Sequence, residues 1–215
     1  MKKIAVLISG SGTNLQAIID KCNSGLINGE VISVISNNPE AYGLERANKA
    51  GIETKIINHN NYDSREAFDE ELFYFLQNKN PDLIVLAGFM RILAKKLTDS
   101  FFGKVINIHP SLLPKYPGLN THQKVFDNKD STHGVSIHFV SSELDSGPLI
   151  AQGEIKTKKE ESIESMIQRI HALEHSIYPR IIKLFCDDKI SIQMNKVIFN
   201  NEYSGENYIY EHHEI

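Results

Sequence analysis

Val105-Ile-Asn-Ile-His-Pro-Ser-Leu-Leu-Pro114 is an apolar run stopped by proline, with two polar side chains set two residues apart. Side chains alternate across a β-strand, so Asn107 and His109 project to the same face. Pro110 cannot donate to a central ladder, which puts His109 at the strand's carboxyl end. In open α/β folds that end of a parallel sheet is where ligands bind. Downstream, Glu143-Leu-Asp-Ser-Gly147 offers a loop carboxylate, Asp145. An amide donor, a titratable imidazole and a carboxylate are the parts needed to stabilise an oxyanion and move a proton. Asn107, His109 and Asp145 are therefore the candidate catalytic residues of an enzyme.

Outward from this strand, short apolar runs alternate with helical patterns. Strands are expected over Lys3–Ser9, Glu30–Ser36, Thr54–Ile57, Leu83–Ala87 and Lys104–His109. Helices are expected over Asn14–Cys22, Ala41–Ala50 (closed by Gly51), Ser64–Asn78 (capped by Ser64) and Leu93–Asp99. This alternation predicts an α/β fold: a Rossmann-like, open, mostly parallel twisted sheet with helices on both faces. In the C-terminal half, His133–Val140 and Leu149–Ile155 read as an antiparallel extension of that sheet. Ser162–Cys186 reads as a long helix, interrupted or bent near Pro179, and Ser191–Met194 with Val197–Phe199 as a small hairpin. A single domain over 1–201 is the expectation, with a tail at 202–215 that lacks an apolar pattern and frays.

Composition narrows the class. At 41% hydrophobic and 23% charged residues the chain has globular proportions, with ample core at 215 residues. A net charge of −4 argues against nucleic acid or an anionic membrane surface as partner. The opening apolar run is too short for a signal peptide, and no segment is apolar for long enough to span a bilayer. Cys22 and Cys186 read as free thiols packed as small hydrophobes. A cytoplasmic enzyme of small molecules, monomer or homodimer, is expected.

Ile8-Ser-Gly-Ser-Gly-Thr-Asn14 follows the first strand and opens a helix, which aims free backbone N–H groups and the positive helix end at one spot. The dinucleotide fingerprint fails, because Leu15 stands where its third glycine belongs and strand two ends in Ser36-Asn37-Asn38 without an acid. A Walker loop fails for want of Gly-Lys-Ser/Thr. A phosphate monoester on a small substrate fits the turn best, beside the plain alternative of a tight strand–helix turn with no ligand. His133 and His138 flank Gly-Val-Ser-Ile within a predicted strand, as second partners of the site or as structural residues. His171-Ala-Leu-Glu-His175 spells an inverted zinc-protease motif, but Leu173 and Ile177 mark an ordinary buried helix, and no metal is expected.

Together, Ile8–Ile19, Leu86–Leu93, Asn107–Gly118, His133–Val140 and Leu144–Pro148 resemble the folate-dependent phosphoribosylglycinamide formyltransferases, within the formyltransferase superfamily. The resemblance runs over roughly residues 3 to 186. The Asn-x-His-Pro-Ser-Leu-Leu-Pro stretch belongs to the superfamily at large, and the glycine turn at the amino terminus narrows it. The resemblance implies glycinamide ribonucleotide as substrate and 10-formyltetrahydrofolate as formyl donor and co-substrate, in purine synthesis. It implies that Gly12, Thr13 and Asn14 take the phosphate and Glu174 the glycinamide end. Met90, Arg91, Ile92 and Leu93 would line the folate pocket, with Asn107, Ser141, Ser142, Glu143, Leu144 and Asp145 facing it. Arg65 would meet the acidic tail of the folate.

The implied chemistry is direct acyl transfer. The amine attacks the formyl carbon, and Asn107 and protonated His109 meet the oxyanion. Asp145 holds His109 charged and orients a water that carries the proton to N10. Three rivals differ in what they need. A formyltetrahydrofolate deformylase would carry a domain ahead of strand one, and a methionyl-tRNA formyltransferase a basic C-terminal domain. A phosphate-binding module would have no use for Asn107, His109 and Asp145 together.

Overall fold

The computed structural model describes residues 1–200 and 209–213. Its first half runs β1 (Lys2–Ile8), α1 (Thr13–Asn23), β2 (Gly29–Ser36), α2 (Gly43–Lys49), β3 (Thr54–Ile56), α3 (Arg65–Lys79), β4 (Leu83–Leu86), α4 (Lys95–Ser100) and β5 (Val105–His109). The second half runs α5 (Thr121–Asp127), β6 (Thr132–Phe139), β7 (Leu149–Lys156), α6 (Ile163–Cys186), the β8 (Ile190–Gln193)–β9 (Lys196–Phe199) hairpin and β10 (Ile209–His213). The sheet order is β10-β7-β6-β5-β4-β1-β2-β3. Pairings from β3 through β5 are parallel, whereas β6 runs antiparallel to both β5 and β7. This is the predicted mostly parallel sheet with its antiparallel extension.

β1 and β4 are buried on both faces because helices cover each side, and their unbroken apolar sequences follow from that. On one face α1, α2 and α6 close over Ile4, Val6, Leu83 and Val85. On the other, α3 and α4 close over Ala5, Leu7, Ile84 and Leu86. The Ser64 hydroxyl caps α3 by accepting from Ala67 N at 3.1 Å, and Asn80 ends it in the left-handed region.

The chain leaves β1 to one side toward β2 and leaves β4 to the other toward β5, so β1 and β4 flank the point where strand order reverses. The loops at their carboxyl ends, Ser9–Gly12 and Ala87–Leu93, open a crevice there. Tyr178, fully buried on α6, sets its hydroxyl 3.0 Å from Leu86 O and 3.2 Å from Ile106 O, tying the carboxyl end of β4 to the start of β5 and both to α6.

Three features go beyond the sequence reading. α6 continues through Pro179 without interruption, because Tyr178, Pro179, Ile181 and Ile182 are all buried and tertiary packing outweighs the lost backbone bond. α5 was not expected; it buries only Thr121 and Val125, too little apolar face to read as periodicity. The tail expected to fray supplies β10, parallel to β7, where Glu211 takes an ion pair from Arg180 at 2.8 Å. The remainder of 202–215 lies outside the described residues.

Candidate active site

A cleft of about 810 Å³ occupies the switch point, lined by the glycine turn, the Ala87–Leu93 loop, the end of β5, the segment around Gly118 and the loop that carries Asp145. Asn107 and His109 project into it from one face of β5, as the alternation requires. Asp145 reaches them from a backbone in the left-handed region (φ 50°) and has only 7% of its side chain exposed.

Hydrogen bonding fixes the state of each ring. His138 Nδ1 donates to Phe139 O at 2.8 Å, so Nε2 carries the lone pair and accepts from Asn107 Nδ2 at 3.2 Å. Burial holds the His138 pKa down, which keeps that ring neutral. Asn107 thus has its amide nitrogen held in place, with one N–H spent on His138 and a second left for the cleft. His109 Nε2 lies 2.9 Å from Tyr116 O; a carbonyl only accepts, so Nε2 carries a proton. The other nitrogen, Nδ1, is left with the lone pair in the neutral ring, and it stands 3.5 Å from Asp145 Oδ2. Asp145 Oδ2 also accepts from Gly118 N at 2.8 Å, and Oδ1 lies 3.8 Å from His138 Nε2. An amide N–H, an imidazole nitrogen and a carboxylate converge on one wall of the cleft.

The glycine turn forms the opposite end. Gly12 caps α1 in the left-handed region (φ 69°), and a Cβ there would sit 2.6 Å from Gly43 Cα. Gly43 N donates to Gly10 O at 3.0 Å and Arg46 Nε to Ser11 O at 2.9 Å, so α2 braces the turn from outside. Thr13 and Asn14 open α1 and line the cleft. Asn14 Nδ2 donates to Glu174 Oε2 at 3.0 Å, which brings α6 to the turn. Glu174 is 6% exposed, and its burial pushes the carboxyl up to about 7 against the opposing pull of that amide bond.

Of the remaining candidates, Met90, Arg91, Ile92 and Leu93 line the cleft, as do Ser141, Glu143 and Leu144. Met90 is 68% exposed at the rim, and Arg91 lies 4.7 Å over the Phe68 ring. Ser142 and Arg65 are not part of the lining. From the start of α3, Arg65 donates to Leu93 O at 2.9 Å and pairs with Asp69 at 3.5 Å, with 42% of its side chain exposed. Nor does the zinc-like motif gather a metal site: Glu174 turns to Asn14, and no group of three or more metal-binding side chains gathers among the described residues.

Sequence reading missed His122, Arg46 and the backbone of Tyr116. His122 Nδ1 lies 2.9 Å from His133 Nε2, and burial lowers both pKa values, to about 4 and about 3. Its place on the unexpected α5 hid it. Nothing in local sequence marks Tyr116 O or Arg46 as partners of the site.

The formyl transferase family model matches residues 2–182. Phosphoribosylglycinamide formyltransferase of Escherichia coli (strain K12) is 48% identical over 192 residues, which covers 89% of this chain and 91% of that protein. The human trifunctional purine biosynthetic protein adenosine-3 is 36% identical over 193 residues, 90% of this chain but 19% of that larger protein. Among solved structures, phosphoribosylglycinamide formyltransferase from Coxiella burnetii superposes with a TM-score of 0.91 at 43% identity, covering 97% of this chain and 99% of that one.

Proposed function

The chain belongs to the formyl transferase family and is a formyltransferase, and we propose that it moves the formyl group of 10-formyltetrahydrofolate to the amine of glycinamide ribonucleotide. The products are N-formylglycinamide ribonucleotide and tetrahydrofolate, a step of purine synthesis. The observation that carries this reading is the pairing in one cleft of a phosphate-type helix start at Gly12–Asn14 with the Asn107–His109–Asp145 wall.

Each group then has a task its chemistry suits. The backbone N–H groups at the start of α1 take the phosphate. Glu174 accepts from the glycinamide end, and the rise of its pKa to about 7 lets it serve in either protonation state near neutrality. The Met90–Leu93 loop supplies apolar surface and backbone groups to the pteridine, facing Ser141, Glu143 and Leu144. When the amine adds to the formyl carbon, the new oxyanion takes the free N–H of Asn107 and the Nδ1–H of protonated His109. Asp145 stabilises that imidazolium across 3.5 Å. The amine gives up one proton and N10 gains one as the C–N10 bond breaks, with a water held by Asp145 as carrier. No covalent enzyme intermediate is required. Arg65 braces Leu93 O and, with 42% of its side chain exposed, offers its remaining nitrogen to the acidic tail of the folate.

No helix among the described residues is long and apolar enough to cross a membrane. With two small-molecule substrates and a net charge of −4, we place the enzyme in the cytoplasm, as monomer or homodimer. The test is an absorbance assay of a 10-formyl folate with and without glycinamide ribonucleotide. Deformylation only with the ribonucleotide supports the transferase; deformylation without it makes the chain a hydrolase.

A further inference from the structure

The segment Lys115–Gly118 touches both the imidazole and the carboxylate of the catalytic wall. Tyr116 O accepts from His109 Nε2 at 2.9 Å, and Gly118 N donates to Asp145 Oδ2 at 2.8 Å, the same oxygen that faces His109 Nδ1. Two residues of backbone thus span the dyad. To present its carbonyl this way Tyr116 takes a φ of 57°, which costs about 1 kcal/mol or more for a side chain with a Cβ. Something must hold it there. The buried Ser111 hydroxyl lies 2.7 Å from Lys115 O and 3.2 Å from Tyr116 O. The phenol adds an anchor through the side chain: its hydroxyl donates to Asp130 Oδ2 at 2.9 Å and accepts from Asn128 Nδ2 at 2.7 Å. Asp130 is itself fixed by Lys115 Nζ at 2.7 Å and, through its backbone carbonyl, by the Thr157 hydroxyl.

We propose that Tyr116 is a positioning residue, whose phenol, anchored on Asp130, holds its own carbonyl against His109 Nε2 and thereby assigns proton transfer to Nδ1, beside Asp145. The inference rests on the formyl-transfer reading for its kinetic test but not for its spectroscopic one. Without the carbonyl, a neutral imidazole is free to carry its proton on either nitrogen, and part of the population would turn a protonated, non-titrating nitrogen toward Asp145. The Asp130 anchor needs only an acceptor oxygen, so Asp130→Asn keeps it and Asp130→Ala removes it.

The experiment uses the full chain. Nitrogen-15 NMR of the imidazoles, with the His109 signals assigned against His109→Asn, is expected to show the Nε2–H tautomer in the neutral wild-type ring. Tyr116→Phe and Asp130→Ala are expected to mix the two tautomers and to lower kcat about tenfold, the rate equivalent of one net hydrogen bond, with KM for both substrates unchanged. Asp130→Asn is expected to restore both readouts. An unchanged tautomer in Tyr116→Phe, a fall in kcat matched by a rise in KM, or equal behaviour of Asp130→Ala and Asp130→Asn would each overturn the proposal. Should Tyr116→Phe not fold, the two Asp130 variants decide alone. Absence of formyl transfer in the wild type refutes the functional reading, and the tautomer still tests the clamp.

Discussion

Glu174→Gln is expected to make the protein more stable at pH 8 while weakening its hold on the acceptor. In the folded chain burial lifts the Glu174 carboxyl from 4.5 to about 7, so the unfolded chain releases that proton more readily than the folded one. Stability from this group is therefore complete below pH 4.5 and is lost as pH rises toward 7. At 1.36 kcal/mol per unit the full loss is about 3 kcal/mol. With 6% exposure there is little solvent to screen it. Glutamine escapes the loss, because it carries no titrating proton and its Oε1 still accepts from Asn14 Nδ2. Urea unfolding of both proteins at pH 5, 6, 7 and 8 should give curves that nearly coincide at pH 5 and diverge by about 3 kcal/mol at pH 8. The difference between the two proteins isolates this group from the histidines, whose slope runs the other way. A constant offset across the range would refute the reasoning, since a packing change carries no proton. In the same variant KM for glycinamide ribonucleotide should rise far more than KM for the folate.

His122 and His133, held neutral by burial with pKa values near 4 and 3, contribute stability that is present above pH 6.5 and lost as pH falls toward 4. His133→Gln should flatten that acid limb in pH-dependent urea unfolding. His109→Ala and Asn107→Ala should each lower kcat by roughly 10²–10³ while substrates still bind, as measured by calorimetry beside single-turnover rates. Near-normal turnover would remove that residue from the mechanism. Gly12→Ala would place a Cβ 2.6 Å from Gly43 Cα at φ 69°, so the α1 start must shift; KM for the ribonucleotide should rise with KM for the folate unchanged. Tyr178→Phe leaves Leu86 O and Ile106 O without their buried donor and should cost about 1–3 kcal/mol in urea unfolding.

What was legible in the sequence is what local rules determine. The strand period places Asn107 and His109 on one face whatever surrounds them, and Pro110 ends that strand because it has no N–H to give. The glycine turn was legible for a similar reason: Gly12 at φ 69° is a backbone demand that the residue itself announces. Tertiary partners leave no such mark. β10 pairs with the open edge of β7, more than fifty residues earlier in the chain, and takes an ion pair from Arg180 on α6; neither is visible from residues 209–213. Leu93 O and Asp69 take two nitrogens of Arg65 while its side chain stays 42% exposed, and neither partner is visible from position 65.

The same division explains why the trio was found but its wiring was not. Residue types announce the chemistry: an amide, an imidazole, a carboxylate. Which nitrogen of His109 does the work is decided by a backbone carbonyl, and every residue has one of those. The carbonyl comes from Tyr116, whose left-handed backbone is held by a phenol reaching Asp130. His138 decides the orientation of Asn107 in the same indirect way, through a ring locked by Phe139 O. Substituting either support leaves every catalytic side chain in place, so the two should lower turnover without erasing it. A reaction that tolerated loose supports as well as the native ones would have no need of a buried, neutral His138 or of a tyrosine at φ 57°.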